Sequence, residues 1–302
     1  MTDMLDDRQV SKVVVPAAGL GTRFMPQTKA VPKEMLPLVD KPAIQYVVEE
    51  AVGAGLNDIA VVVGEGKQAI QEHFGRSHEL ETALTRVHAH TQLAMLHDLS
   101  QLAAMHYLRQ AAPNGVGHAV LTARAFAGGQ PFAVLLPDEI IEPSVRLLDR
   151  MLEVRARYGG SVVALMRVPP AELRNYGCAA VQPTAGGDIV RIAGMVEKPA
   201  PGDAPSDLAV IGRFVLGPAV FAELDRAQPG YGGEIQLTDA LDAMAQPTHD
   251  GGPVHGLVFE GQRYDTGSHV GHLKAMVEMA CAHDDLGAPF RQWLTAFVGT
   301  TR

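Results

Sequence analysis

The chain has 302 residues, of which 47% are hydrophobic and 20% are charged, and its formal net charge is −9. This composition is typical of a globular protein with a large core, in one extended domain or two lobes. It argues against a nucleic acid as the main partner, because nucleic-acid-binding domains usually carry a basic face. Two cysteines, Cys178 and Cys281, exclude a disulfide framework and favour a reducing compartment.

The N-terminal residues Met1–Gln9 are acidic and polar, without the apolar segment of a signal peptide. No uninterrupted apolar run approaches membrane-spanning length. We therefore expect a cytoplasmic protein with no membrane partner.

The first half of the chain alternates strand patterns with helix patterns. Its expected strands are apolar, β-branched runs, and its expected helices carry apolar residues at helical spacing. The strands are Lys12–Val15, Ile59–Val63, Tyr107–Gln110, Phe132–Leu136 and Ser161–Arg167. The helices are Ala43–Ala54, Leu80–Met105, His118–Phe126 and Val145–Tyr158, and the second is expected to reach out from the core. This alternation predicts an α/β fold with a doubly wound sheet flanked by helices.

Beyond Pro169 glycines and prolines become frequent and the expected strands become shorter. The strands are Ala179–Gln182, Ile189–Val196, Leu208–Val215 and Val254–Phe259, and the helices are Pro218–Arg226, Leu237–Ala245 and His269–His283. We expect this part to form a lobe laid on the same sheet. The predicted organisation is one domain over residues 10–285, with parts 10–168 and 169–285, followed by a tail at 286–302.

A glycine-rich loop, Ala17-Ala18-Gly19-Leu20-Gly21, follows the first strand. Residues 12–33 around it hold four cations and no carboxylate. Exposed backbone amides beside cations favour a polyphosphate ligand. The loop is not G-x-G-x-x-G, because position 24 is Phe, and it lacks the Lys-Ser/Thr of a Walker A loop. A tight turn with surface cations is the alternative.

Polar features follow three expected strands: this loop, Gln110 with the loop after it, and Asp138. Ligands of doubly wound sheets bind outside the carboxyl ends of the strands. We therefore expect the three features to lie together at one edge of the sheet.

Two long motifs, Ala17–Arg23 and Pro32–Pro42 with its continuation through Glu50, resemble the signature of the sugar-1-phosphate nucleotidylyltransferase family, in its branch acting on UTP and glucose 1-phosphate. The resemblance extends to about His283. It implies a Rossmann-like mixed sheet with a sugar-binding lobe in the C-terminal half. It also implies transfer of the uridylyl group of UTP to α-D-glucose 1-phosphate, which gives UDP-glucose and pyrophosphate, by a homodimer or homotetramer.

The resemblance assigns roles to individual residues. The catalytic cations are Arg23, Lys33 and Lys198, and the Mg²⁺ ligands are Asp138 and Asp265. The nucleotide-binding residues are Ala18, Gly19, Leu20, Gly21, Glu34, Gln110, Gly115 and Gly117, and the sugar-binding residues are Gly177, Glu197 and Lys198. These residue types suit the chemistry, because phosphoryl transfer needs preplaced cations and Mg²⁺ prefers carboxylates, phosphate oxygens and water.

Several of these residues have a simpler structural interpretation. An Asp at a strand end often forms a turn or caps a helix, and Asp265 could cap the helix at His269. Lys29 and Lys41 could be surface lysines or ligands, and the role of Glu139 is open. Cys178 is expected to be a small packing residue.

Three other functions compete with the transferase hypothesis. The first is the same chemistry with dTTP or another sugar phosphate. The second is a catalytically weak regulatory paralogue that binds a nucleotide sugar. The third is a nicotinamide-dependent dehydrogenase, against which the broken glycine pattern and the cation cluster argue.

Overall fold

The computed structural model describes residues 9–200 and 202–300. Residues 1–8, which carry most of the segment used to argue against a signal peptide, and the last two residues of the tail lie outside this range. No helix of the described residues is both long enough and apolar enough to cross a membrane.

The strands are β1 (Lys12–Ala17), β2 (Pro37–Leu38), β3 (Lys41–Pro42), β4 (Asp58–Val63), β5 (Ala104–Arg109), β6 (Phe132–Leu135), β7 (Glu139–Ile141), β8 (Ser161–Arg167), β9 (Gly177–Pro183), β10 (Ile189–Glu197), β11 (Leu208–Leu216), β12 (Val254–Val258) and β13 (Arg263–Asp265). The helices are α1 (Ala43–Gly53), α2 (Gln68–Phe74), α3 (His78–Arg86), α4 (His90–Ser100), α5 (Val116–Thr122), α6 (Arg124–Ala127), α7 (Leu147–Tyr158), α8 (Val220–Arg226), α9 (Leu237–Ala245), α10 (His269–Ala282) and α11 (Gly287–Thr300).

One large sheet joins strands from both halves of the chain, in the order β5-β4-β1-β6-β11-β8-β12-β10-β9. Strands β5, β4, β1 and β6 are parallel, whereas β11 runs antiparallel to both β6 and β8. The short strands β7 and β13 pair antiparallel in a separate two-stranded sheet, which places Asp265 opposite Glu139. This mixed sheet with flanking helices confirms the predicted α/β fold class.

Strand β1 shows why the sheet strands are apolar throughout. Val13 and Val15 pack into the cluster formed with α1 and α7, whereas Val14 packs into the cluster formed with α5, α8 and α9 on the other face. Successive side chains of a strand point to opposite faces, so a sheet covered by helices on both sides needs an uninterrupted apolar run.

The predicted helix Leu80–Met105 is wrong over part of its length. The chain forms two helices, α3 and α4, and His88 between them adopts a left-handed conformation with φ of 54°. Ala104 and Met105 belong instead to β5, because they pair with Asp58 and Ile59 of β4 at the sheet edge. None of the described side chains of α3 or α4 is buried.

Other segments also differ from those expected. The predicted helix His118–Phe126 is divided at Ala123 into α5 and α6, and most of the C-terminal tail forms α11. Cys178 is a packing residue as predicted, because it is fully buried and burial raises the pKa of its thiol to about 11.

Candidate active site

The glycine-rich loop leaves the carboxyl end of β1 and curves around Lys33. Gly21 adopts a left-handed conformation with φ of 66°, and its carbonyl oxygen accepts a 2.7 Å hydrogen bond from the Thr28 hydroxyl. A Cβ atom at Gly21 would lie 3.2 Å from Lys33 Cβ. Glycine is therefore required here both by backbone conformation and by the close approach of the lysine.

A cavity of about 350 Å³ opens beside this loop at the carboxyl ends of the parallel strands. Most of its lining residues come from the end of β1 and the loop, from the 110–119 segment and from the turn after β6, and Lys33 and Glu234 complete the wall. The lining residues are Pro16, Ala18, Gly19, Leu20, Gly21, Thr22, Lys33, Gln110, Pro113, Gly115, Val116, Ala119, Leu136, Asp138 and Glu234. The structure thus brings together the three polar strand ends that the sequence placed at one edge.

Gln110 lies in the wall of this cavity in a fixed orientation. It is 5% exposed, and its side-chain Nε2 atom donates to the Gly115 carbonyl at 3.2 Å and lies 2.8 Å from His118 Nδ1. A fixed amide edge suits recognition of a base, which presents donors and acceptors in a set pattern.

Gly115 and Gly117 allow a distant segment to pack against this loop. Gly115 has φ of 96°, and a Cβ atom there would lie 2.7 Å from Glu234 Cβ. The Gly117 amide donates to the Ile235 carbonyl at 2.9 Å, and a Cβ atom at Gly117 would lie 2.7 Å from that oxygen. Gly117 does not line the cavity, so its visible role is to admit Ile235.

Asp138 and Asp265 face each other across Gly267. A Cβ atom at Gly267 would lie 3.2 Å from Asp138 Oδ2 and 3.1 Å from Asp265 Oδ1, so glycine leaves the space between the carboxylates open. Thr266 fixes the turn by donating to the Asp138 carbonyl from its amide at 2.8 Å and its hydroxyl at 2.9 Å.

The helix-capping alternative for Asp265 is wrong. The N-cap of α10 is Ser268, whose hydroxyl accepts from the Gly271 amide at 3.1 Å. Asp265 Oδ1 accepts instead from the Gly267 amide at 2.8 Å, which keeps its carboxylate turned toward Asp138.

Lys33 connects the glycine-rich loop with the carboxylates. Its Nζ atom lies 2.5 Å from Asp138 Oδ2. Burial alone lowers the pKa of Lys33, but the charges of Asp138 and Glu34 outweigh it and raise that pKa above its usual value. Burial raises the pKa of Asp138, and the adjacent Lys33 ammonium more than reverses the effect, so that pKa is lowered. Both groups are therefore ionised near neutral pH.

Arg23 lies at the mouth of the same region. It is exposed, and its Nη1 atom donates to the Gly267 carbonyl at 3.3 Å. Its position near Asp138 and Lys33 places a second cation beside the glycine-rich loop.

A second cavity, of about 250 Å³, adjoins the first. The two share the wall residues Val116, Leu136, Asp138 and Glu234. The second cavity is also lined by Arg23, Glu139, Asn175, Tyr176, Gly177, Glu197, Lys198, Val210, Gly212, Phe214, Gln236, Leu237, Thr238, Asp265 and Gly267. The sugar-side residues predicted from the sequence therefore lie next to the nucleotide-side residues, with Asp138 between them.

Lys198 is held firmly in this second cavity. Its backbone adopts a left-handed conformation with φ of 45°, and its amide donates to the Tyr176 carbonyl at 3.0 Å. Its Nζ atom lies 3.1 Å from Glu197 and 4.9 Å from the centre of the Tyr231 ring. Glu197 also accepts from the Thr238 hydroxyl at 2.6 Å.

Glu34 lies beneath the site rather than in either cavity. It is 1% exposed and forms a buried ion pair with Lys67 at 2.7 Å. Burial raises the pKa of Glu34, and Lys67 offsets only part of that effect. The structure places Lys29 outside both cavities, exposed, and pairs Lys41 with Glu49 at 2.9 Å.

Sequence reasoning missed two arginines that support the site. Arg213 is fully buried in β11 and donates to both oxygens of Glu50 and to the carbonyls of Leu136 and Glu139. Those two carbonyls flank Asp138 in the chain. A cation inside an otherwise apolar strand was the available signal, because buried arginines are almost always paired. Arg263 gave no such signal, since β13 is short and partly exposed.

Comparison with known proteins identifies the family. Residues 12–281 match the family model described as nucleotidyl transferase. The chain is 42% identical over 292 residues to the UTP–glucose-1-phosphate uridylyltransferase of Staphylococcus epidermidis, covering 96% of this chain and 98% of that protein.

Two solved structures are similar over most of the chain. The structure of UTP-bound UGPase from Acinetobacter baumannii is 37% identical and has a TM-score of 0.84, covering 95% of this chain and 99% of that one. A UDP-glucose pyrophosphorylase complexed with UDP-glucose is 38% identical with a TM-score of 0.80, covering 91% of this chain and 100% of that one. Together with the two adjoining cavities, these similarities show that the chain belongs to the nucleotidyl transferase family, among the UTP–glucose-1-phosphate uridylyltransferases.

Proposed function

We propose that this protein transfers the uridylyl group of UTP to α-D-glucose 1-phosphate and releases UDP-glucose and pyrophosphate. The observation that carries the proposal is the pair of adjoining cavities, which meet at Asp138, with Lys33 lining one and Lys198 lining the other. The relatives named for this reaction, and the solved structures holding UTP or UDP-glucose, support the same substrates.

The chain's own residues would act by positioning and charge neutralisation. Lys33 and Arg23 would neutralise the triphosphate beside the glycine-rich loop, and Lys198 would hold the sugar phosphate in the adjoining cavity. A phosphate oxygen of the sugar phosphate attacks the α-phosphorus of UTP in line, and pyrophosphate leaves. The attacking oxygen is already anionic near neutral pH, so the site needs no general base. Holding two anions in line against their repulsion is the main contribution of the protein.

Asp138 and Asp265 would hold a Mg²⁺ ion. The open position between their carboxylates, kept free by Gly267, fits this role. No cluster of three or more His, Cys, Asp or Glu side chains able to hold a metal occurs in residues 9–200 and 202–300, so the remaining ligands would be phosphate oxygens and water, as Mg²⁺ prefers. When bound, the ion neutralises negative charge on the phosphate groups.

For the base and the sugar we propose the residues assigned from the sequence. Gln110 and Gly115 would contact the base, because both line the first cavity. Gly117 would act by admitting Ile235, and Glu34 by fixing Lys67 through their ion pair. Glu197 would accept hydrogen bonds from sugar hydroxyls beside Gly177.

We propose one domain over residues 10–285, whose parts 10–168 and 169–285 share the large sheet. Large exposed apolar side chains on α10 and α11, including Leu273, Trp293 and Phe297, support a homodimer or homotetramer. Two free cysteines fit a cytoplasmic location.

The proposed function is tested by offering UTP, dTTP, CTP, ATP and GTP with glucose 1-phosphate and Mg²⁺ and measuring pyrophosphate release. Galactose 1-phosphate and mannose 1-phosphate are then offered with the preferred nucleotide. We expect UTP and glucose 1-phosphate to give the highest kcat/KM, with chromatography showing UDP-glucose. Preference for dTTP would show that the protein transfers a thymidylyl group instead. Binding of UDP-glucose without turnover would indicate a regulatory paralogue.

A further inference from the structure

Arg263 joins two parts of the site that are far apart in the chain. Its side chain is 8% exposed, its Nη1 atom donates to Glu139 Oε2 at 2.9 Å, and its Nη2 atom donates to the Tyr176 hydroxyl at 2.9 Å. The guanidinium carbon also lies 5.0 Å from the centre of the Tyr176 ring. A planar guanidinium makes such paired contacts with fixed geometry, which an ammonium group does not.

One side of this link reaches the carboxylate pair. Arg263 and Asp265 are two residues apart on β13, so their side chains project to the same face. Asp265 is directly opposite Glu139 of β7, and Asp138 precedes Glu139 in the chain. The Arg263–Glu139 pair therefore ties together the two strands that carry Asp138 and Asp265.

The other side of the link reaches Lys198. The hydroxyl of Tyr176 is bound by Arg263, and the carbonyl of Tyr176 accepts from the Lys198 amide at 3.0 Å. Lys198 has φ of 45°, which is unfavourable for a residue with a side chain and persists only when neighbouring contacts maintain it. The bond from Tyr176 is one such contact.

We propose that Arg263 is a positioning residue that couples the carboxylate pair to Lys198 through Tyr176, and that Glu139 is the counter-charge of Arg263 rather than a third metal ligand. This inference rests on the proposed function, because it assigns Lys198 to the sugar phosphate. It explains why a third carboxylate occupies the edge of the sugar-side cavity. A carboxylate already bonded to a buried guanidinium has less capacity left for a metal ion.

The first test is Tyr176→Phe, which removes a single hydroxyl group and keeps the ring. Loss of one hydrogen bond to a charged group predicts an increase of about tenfold in KM for glucose 1-phosphate, with KM for UTP within about twofold of the original. The matched control is Tyr264→Phe. Tyr264 lies beside Arg263 but packs against the apolar cluster on the α1 side of the sheet, so both KM values should stay unchanged.

The second test asks whether Glu139 binds metal, with a measurement that does not need turnover. Binding of Mn²⁺ in the presence of UDP-glucose is measured from the loss of the free-ion EPR signal. We expect Glu139→Gln to bind Mn²⁺ within about threefold of the original protein, because the Gln side-chain oxygen can still accept from Arg263 and keep β7 joined to β13. We expect Asp138→Asn to bind it at least about tenfold more weakly. Equal losses in the two variants would make Glu139 a ligand and overturn that half of the proposal.

The outcomes separate this inference from the proposed function. If the original protein makes no UDP-glucose, the proposed function fails. If it makes UDP-glucose and Tyr176→Phe, folded by circular dichroism, keeps its KM for glucose 1-phosphate, the coupling through Tyr176 is wrong. Arg263→Lys gives a further check, because it keeps the charge and loses the paired geometry, and it should behave like Tyr176→Phe rather than like the original protein.

Discussion

Replacing Lys33 with Met is expected to lower kcat by about 10²–10³-fold, the range seen when one preorganised group that stabilises transition-state charge is removed. Lys33 is the cation that lies between the glycine-rich loop and Asp138, and its raised pKa keeps it charged throughout the neutral range. The loss should appear in kcat as well as in KM for UTP, because negative charge develops on the leaving pyrophosphate in the transition state.

The matched control for this prediction is Lys29→Met. Lys29 lies four residues before Lys33 in the same cationic stretch, but it is exposed and lines neither cavity. We expect its kcat and KM to change by less than about twofold, since exposed charges contribute little. Steady-state kinetics with UTP and glucose 1-phosphate measures both variants. A Lys33→Met enzyme that keeps its kcat within about threefold of the original would contradict the assigned role.

Replacing Arg213 with Met is expected to lower the free energy of unfolding by about 3–5 kcal/mol, which is the usual cost of removing one partner of a buried ion pair. Arg213 has no exposed surface, and its side chain pairs with Glu50 at 2.7 Å. It also donates to the carbonyls of Leu136 and Glu139, so its loss removes one donor from an acceptor on each side of Asp138.

Urea denaturation monitored by circular dichroism measures this effect. Arg167→Met is the control, because Arg167 pairs with Asp207 at 2.6 Å on the exposed end of β8 and should cost less than about 1 kcal/mol. The double variant Arg213→Met, Glu50→Met removes both charges, and we expect it to recover only part of the loss, since the two carbonyls still lack the hydrogen bonds that Arg213 donated. Equal stability of Arg213→Met and Arg167→Met would show that the buried arginine stabilises the fold no more than the exposed one, and would contradict this prediction.

Local sequence patterns were sufficient to predict most of the fold. Apolar β-branched runs such as Val13–Val15 mark strands buried on both faces, and the helical spacing in Ala43–Gly53 marks a helix with one buried side. The segment Leu80–Met105 was not predicted correctly. Polar and apolar residues are mixed in β5, and this stretch forms a strand only because it pairs with β4. An edge strand has one neighbour, so its sequence is less constrained by burial.

The candidate site was predictable where function requires unusual residues close together in the chain. The cations around Gly19 and Gly21, and Asp138 after the buried strand β6, could be assigned this way. Residues whose role depends on a partner far away in the chain could not be assigned from the sequence. Gly117 is explained by Ile235, and Arg263 by Tyr176 and Glu139, and these contacts exist only once the chain has folded.

Family membership removes the nicotinamide-dependent dehydrogenase from the rival functions, because the match covers residues 12–281. It also explains why the glycine pattern lacks the third glycine of a dinucleotide fold. In the proposed site the loop curves around Lys33, and side-chain cations would meet the phosphate charge together with backbone amides.

The central claim is that a phosphate oxygen of glucose 1-phosphate attacks the α-phosphorus of UTP in the joined cavities. The most direct test supplies glucose 1-phosphate labelled with ¹⁸O in its non-bridging phosphate oxygens and follows the products by ³¹P NMR. The account predicts that the oxygen between the two phosphorus atoms of UDP-glucose carries ¹⁸O and that pyrophosphate carries none. An unlabelled bridge, with one ¹⁸O lost from the sugar phosphorus to water, would show attack at the sugar phosphorus instead, and would contradict the account.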